Sequence, residues 1–209
     1  MGVIRLIGLA VLLQTGLAHA RTPQKFIFTG GPGVGKTTLI DGLRARGYLA
    51  VPEAARHVIQ REQGKSPRLR PVLPWTDLVG FQHKVLRQQS RWENSAAIAG
   101  RTVALDRSFV DPIAYLLQSG QGPRQQPALY RKIFGKIRRA GYTKVFFLDQ
   151  LPRYVNDPQR KESVREARQI HDQLFKVYTQ MGKRFGFDVV RVPAIGVDQR
   201  LDFVLRQMQ

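Results

Sequence analysis

From Lys25 onward the chain alternates short apolar runs with longer mixed segments, the pattern of βα units around a mostly parallel sheet. The first apolar run predicts a strand over residues 26–29, ended by a glycine-rich turn. Residues 37–46 read as a helix stopped by Gly47. A second short strand is expected over 48–51 and a helix over 53–63. The stretch 64–74, with three prolines and three basic residues, cannot be regular. Leu78, Phe81, Val85 and Leu86 share one helical face, so a helix is expected over 75–97. A third strand over 102–106, helices over 112–119 and 127–140, and a fourth strand over 143–148 follow. After an Arg-rich polar segment, helix returns up to residue 185; a fifth strand covers 187–192, and a last helix starts near Val197. No internal repeat or low-complexity tract interrupts this order.

With 209 residues the chain is long enough for one domain with a core and too short for two. Apolar residues at 43% and charged residues at 23% are ordinary globular usage, which excludes a wholly disordered or fibrous chain. Cysteine is absent, so disulfides, thiolate metal sites and a cysteine nucleophile are excluded. Charge is the unusual quantity: 34 Lys plus Arg stand against 15 Asp plus Glu, a formal net +19. Such a field attracts polyanions, and nucleic acid, an anionic membrane or phosphorylated small molecules all fit it.

The first 20 residues carry Arg5, an apolar stretch over 6–13 and Ala18-His19-Ala20, the outline of a secretory signal. The alternatives are an N-terminal extension or an apolar tail. Such a stretch is too short to span a bilayer, so no transmembrane anchor is expected. The nucleotide chemistry read from the rest of the chain favours the cytoplasm, with export as the alternative.

Gly30-Gly31-Pro32-Gly33-Val34-Gly35-Lys36-Thr37 matches G-x-x-x-x-G-K-S/T between an apolar strand and a helix. Glycines let the backbone turn its N–H groups onto phosphates, and the following helix start adds its positive dipole end. Lys36 is then expected on the β and γ phosphates and Thr37 on Mg2+, with Thr38 assisting. The guanine-reading N/T-K-x-D string is missing, since Thr143-Lys144-Val145-Phe146 lacks the aspartate, so ATP is the expected nucleotide.

Transfer also needs carboxylates. Asp106 and Asp149 both follow apolar runs, and Asp106 is preferred beside the metal because Arg107 and Ser108 follow it; its ordinary alternative is a helix cap. Glu53 closes the second strand, where open α/β sheets carry their ligand crevice; it could take a hydroxyl proton, or serve only as a first-turn acid. Arg56 lies one turn further. Arg153, Arg160, Lys161 and Arg165, around Asn156-Asp157, suggest a lid of cations over the nucleotide or, equally, a solvated basic face.

The glycine-loop string, VPEAAR after the second strand, the helix from Leu73 to Gln88, the Asp106-Arg107-Ser108 string and YVNDPQRKES together resemble the AAA-labelled P-loop family that includes the ribosylnicotinamide kinase domain of the bifunctional NAD-biosynthesis regulator. The resemblance spans roughly residues 25–207 and implies an α/β P-loop NTPase, a three-layer sandwich with five mostly parallel strands flanked by helices. It further implies Lys36 and Thr37 on phosphate and magnesium, Asp106 and Arg107 near the transfer site, and Arg160 and Arg165 on the lid. Glu53 and Asp106-Arg107-Ser108 are also similar to positions of deoxynucleoside kinases, where a strand-two Glu is the base. Three functions follow as alternatives: a kinase acting on a nucleoside-like or other hydroxylated small molecule, a nucleotide switch without an acceptor, and a nucleic-acid or anionic-membrane binder. The last is disfavoured because the basic residues are spread along the chain.

Overall fold

The computed structural model describes residues 22–66, 68–152 and 163–208; the leader at 1–20 and Arg153, Asn156, Asp157, Arg160 and Lys161 of the expected lid lie outside them. The strands are β1 (Lys25–Thr29), β2 (Leu49–Val51), β3 (Val103–Asp106), β4 (Tyr142–Leu148) and β5 (Asp188–Val192). The helices are α1 (Lys36–Ala45), α2 (Ala54–Gln63), α3 (Leu78–Glu93), α4 (Asp111–Gln118), α5 (Pro127–Ala140), α6 (Val164–Phe185) and α7 (Val197–Gln207).

All four strand pairings are parallel, in the order β2-β3-β1-β4-β5, so the expected mostly parallel sheet is wholly parallel among the described residues. Both faces are apolar, as a parallel sheet covered by helices requires. Phe26 and Phe28 of β1, Ala104 of β3 and Phe146 of β4 meet Leu39, Ile40 and Leu43 of α1 and Leu201 and Val204 of α7. The alternate residues Ile27, Leu105, Val145 and Phe147 face α3 to α6 through Leu86, Ile113, Ile133 and Leu174. The result is a three-layer sandwich. Between β3 and β4 the chain crosses over β1, and a crossing at the sheet centre opens a crevice beyond the strands' carboxyl ends.

Several boundaries differ from the sequence expectation, each for a local reason. α3 starts at Leu78 because Asp77 caps it, accepting from Gly80 N at 2.8 Å, while the Thr76 hydroxyl accepts from Leu73 N at 2.9 Å and turns the chain before it. Its last residue is Glu93, and the segment to residue 97 folds into turns. Glu53 stands before α2 as its N-cap residue instead of inside it. α5 and α6 end on Gly141 and Gly186, both left-handed.

Ile133 of α5 is fully buried in the core and lines neither the cavity beside the site nor the glycine loop. Ile133→Ala is expected to lower stability by about 2–5 kcal/mol in urea unfolding while leaving nucleotide affinity unchanged.

Candidate active site

The loop from Gly30 to Lys36 leaves the end of β1 at the sheet centre. Gly30, Gly33 and Gly35 take φ of 138°, 77° and 85°, conformations L side chains rarely adopt. A Cβ on Gly31 would lie 2.8 Å from His171 Cβ, so the loop rests directly on α6. Lys36 folds back over the loop, donating to Gly30 O at 3.1 Å and Gly31 O at 2.9 Å. Thr37 and Thr38 stand exposed at the start of α1, whereas Pro32 is covered and Val34 is sunk into the core.

Two residues outside the motif hold the loop. Gly31 N donates to His171 Nδ1 at 3.2 Å. Burial holds His171 below the usual imidazole value, which keeps that nitrogen an acceptor. Arg200 of α7 donates from Nη1 to Val34 O at 2.6 Å, from Nη2 to Asp149 O at 2.9 Å and from Nε to Pro193 O at 2.7 Å. The sequence reading singled out neither. They lie far along the chain from the loop, and no local spacing marks them.

A second cluster forms where β3 ends. Arg107 has φ 69°, the one positive value at a non-glycine among the described residues, and its N–H donates to Phe28 O at 3.0 Å. From this strained turn its Nε donates to Glu53 Oε1 at 3.0 Å and its Nη1 to Asp111 Oδ1 at 2.7 Å. Asp111 also accepts from Thr29 Oγ1 at 2.8 Å, from Ser108 N at 2.9 Å and from the Tyr178 hydroxyl. Glu53 makes no capping bond on α2; its carboxylate turns to Arg107, with Arg56 Nε 4.0 Å from its other oxygen. The sequence reading passed over Asp111 and Tyr178. For Asp111 a signal existed, because Ser108-Phe109-Val110-Asp111 has the S-x-x-D form of a helix start.

Asp106 and Asp149 separate clearly. Asp149 accepts from Arg191 Nε at 2.9 Å and Nη2 at 2.8 Å, so its carboxylate is committed. Asp106 is buried, caps no helix, and keeps Oδ1 without a hydrogen-bond partner. An orphaned buried carboxylate oxygen beside a phosphate loop fits a metal ion or its water. Among the described residues no three His, Asp or Glu gather to cage a metal. Mg2+ needs no such cage, since it takes one or two protein oxygens with phosphate and water. Arg165 lies exposed on the first turn of α6.

Burial dominates the Asp106 carboxyl and, with the nearby charge of Glu53, pushes it up to about 6 against the pull of Lys36 and Arg107. Burial also raises Glu53, but there Arg107, Lys36 and Arg56 outweigh it and the group ends below its usual value. Two neighbouring carboxyls thus differ: Glu53 is charged throughout the physiological range, and Asp106 titrates just below it.

Beside this cluster opens a cavity of about 530 Å³. Glu53, Arg107 and Asp111 form one wall; Phe81, Gln82 and Gln89 of α3 form another. Its volume lies within the range of small-molecule sites. Asp106 does not line it.

Family comparison matches an AAA domain over residues 25–200. The chain belongs to the AAA domain family. As a P-loop member of that family it shares its fold with several solved structures. Deoxyadenosine kinase from M. mycoides with bound dATP is 15% identical with a TM-score of 0.59, over 88% of this chain and 99% of that one. The NadR protein in complex with NR is 19% identical with a TM-score of 0.61, over 83% of this chain and 46% of NadR. Thymidylate kinase from Candida albicans is 15% identical with a TM-score of 0.54, over 90% and 91%. At these identities the likeness concerns the fold. No curated protein matches in sequence. Among the described residues no helix of this AAA domain is long and apolar enough to cross a membrane.

The raised Asp106 carboxyl has a consequence for stability. A carboxyl raised from 3.8 to about 6 by folding favours the folded state below pH 4, and that contribution is lost as pH rises through 6. Without metal, Asp106→Asn is therefore expected to be more stable than wild type at pH 7.5, by on the order of 3 kcal/mol. The gap should close as the pH falls towards 4. Melting curves over that range check it.

Proposed function

We propose that this AAA domain is an ATP-dependent kinase that moves the γ-phosphoryl group of Mg-ATP onto a hydroxyl of a small, nucleoside-like acceptor. The observation that carries the reading is the 530 Å³ cavity whose wall includes Glu53, a carboxylate close enough to Lys36 of the phosphate loop to feel its charge. The solved structures with this fold are described as nucleoside or nucleotide kinases or as a complex with NR, which supports a nucleoside-like acceptor.

The roles follow from position. Backbone N–H groups of residues 30–35 and the Lys36 ammonium hold the triphosphate, with Thr38 beside it. Magnesium, when bound, would be held by Thr37 and Asp106 and would neutralise charge on the phosphates. Glu53 faces the cavity and orients the acceptor hydroxyl; it accepts the proton as the new bond forms. Its lowered value makes it a weak base, which suffices because phosphoryl transfer proceeds through a loose transition state in which the hydroxyl proton departs late. Arg107 stands between Glu53 and Asp111 and offers charge to the transferred group. Arg165, at the head of α6, is a further cation for the nucleotide side. Use of ATP favours the cytoplasm, with export as the alternative. The surface charge needs no nucleic-acid or membrane partner for this reaction.

Purified protein with ATP and magnesium should release ADP in response to a member of a nucleoside panel. Glu53→Gln should lower this turnover about 100-fold or more with ATP affinity retained, and Lys36→Ala should remove it. Undiminished ADP release by Lys36→Ala would sink the mechanism, and hydrolysis that no acceptor stimulates would favour a nucleotide switch.

A further inference from the structure

The helix pair that walls the acceptor cavity carries a second, basic cavity on its other side. α2 and α3 pack through Val58, Phe81 and Val85. Behind that contact lies a space of about 240 Å³ between the helices. Lys84, Arg87 and Arg91 line it from α3, and their spacing of three and four puts them in one stripe along the helix. Arg61 and Lys65 line it from the side of α2.

One carboxylate stands among these five cations. Glu62 accepts from Lys65 and Lys84 at 2.7 Å each and from Val72 N at 3.0 Å. Those contacts outweigh its burial and press it down to about 2, so it is permanently charged and already fully used. Arg61, Arg87 and Arg91 have no carboxylate partner among the described residues, and all three are exposed. Three guanidinium groups on facing helices repel one another, and an anion bridging them removes that repulsion. Guanidinium forks match phosphate oxygens in pairs. The space is smaller than a typical site for a drug-sized molecule, so it suits a compact anion.

We propose that this groove binds the phosphate chain of a small polyphosphate anion, held between Arg61 on α2 and Arg87 and Arg91 on α3. The site is separate from the phosphate loop and shares no residue with the acceptor cavity. It also gives a local role to part of the +19 charge that nucleotide binding leaves without one.

The test is calorimetric titration of inorganic triphosphate into protein saturated with AMP-PNP, with magnesium in excess so that the phosphate loop stays filled. One further site is expected. Arg87→Glu/Arg91→Glu should weaken it at least tenfold, whereas Lys183→Glu/Arg206→Glu, which changes the net charge equally on α6 and α7, should leave it within about twofold. Melting curves of both variants check that they fold. Absence of a second site in wild type, or equal losses in the two variants, overturns the proposal. ATP binding the groove no more tightly than triphosphate supports the phosphate chain as the ligand, and ATP at least tenfold tighter refutes it. A single-stranded oligonucleotide that binds through Arg87 and Arg91 while triphosphate does not would assign the groove to nucleic acid instead.

Discussion

The buried carboxylate of Asp111 is the constraint on which the arrangement of this site depends. Burying an acid costs several kcal/mol unless its oxygens are fully engaged, and here four donors reach it from three parts of the fold. Thr29 comes from the end of β1, Arg107 and Ser108 from the turn after β3, and Tyr178 from α6. Losing any of them leaves a polar group stranded in the interior. The knot therefore fixes the distance between the sheet centre and α6, and it forces Arg107 into its left-handed turn. Once Arg107 is fixed, Glu53 has one orientation, because its carboxylate follows the Arg107 Nε donor.

Glu53 and Asp106 show how the same chemical group acquires two characters a few ångströms from shared cations. Both are raised by burial. Glu53 sits among three cations and remains ionised; Asp106, with a negative neighbour and an orphaned oxygen, holds its proton more tightly. The first environment suits a group that must always be ready to accept a hydrogen bond from an incoming hydroxyl. The second is unfavourable by itself and becomes favourable only with a cation opposite it. That asymmetry fits the proposed division into an acceptor side and a nucleotide side.

Much of this architecture was legible in the chain because its signals are local. Continuous apolar runs within Lys25–Thr29 and Tyr142–Leu148 marked strands buried on both faces, and the glycine loop announced its own geometry. Asp106, Arg107 and Glu53 were visible as polar residues ending apolar strands. The ends of α3 were not, because Asp77 and Asn94 set them against a helical pattern that continues past both. His171, Tyr178 and Arg200 were invisible for a different reason. Their partners lie on other elements, and a histidine or tyrosine on an amphipathic helix looks the same whether it packs or supports a catalytic loop.

Arg200 lies 166 residues after the Val34 carbonyl it holds. Translation runs from the N-terminus at about 5–20 residues per second, so roughly ten seconds or more separate the two ends of that hydrogen bond. During that interval the glycine loop exists without one of its supports, and the Asp149 and Pro193 carbonyls that the same guanidinium gathers are themselves made only late in it. A nascent chain therefore carries the whole phosphate motif before it has the means to hold it in shape. A fully held phosphate loop waits on the emergence of α7.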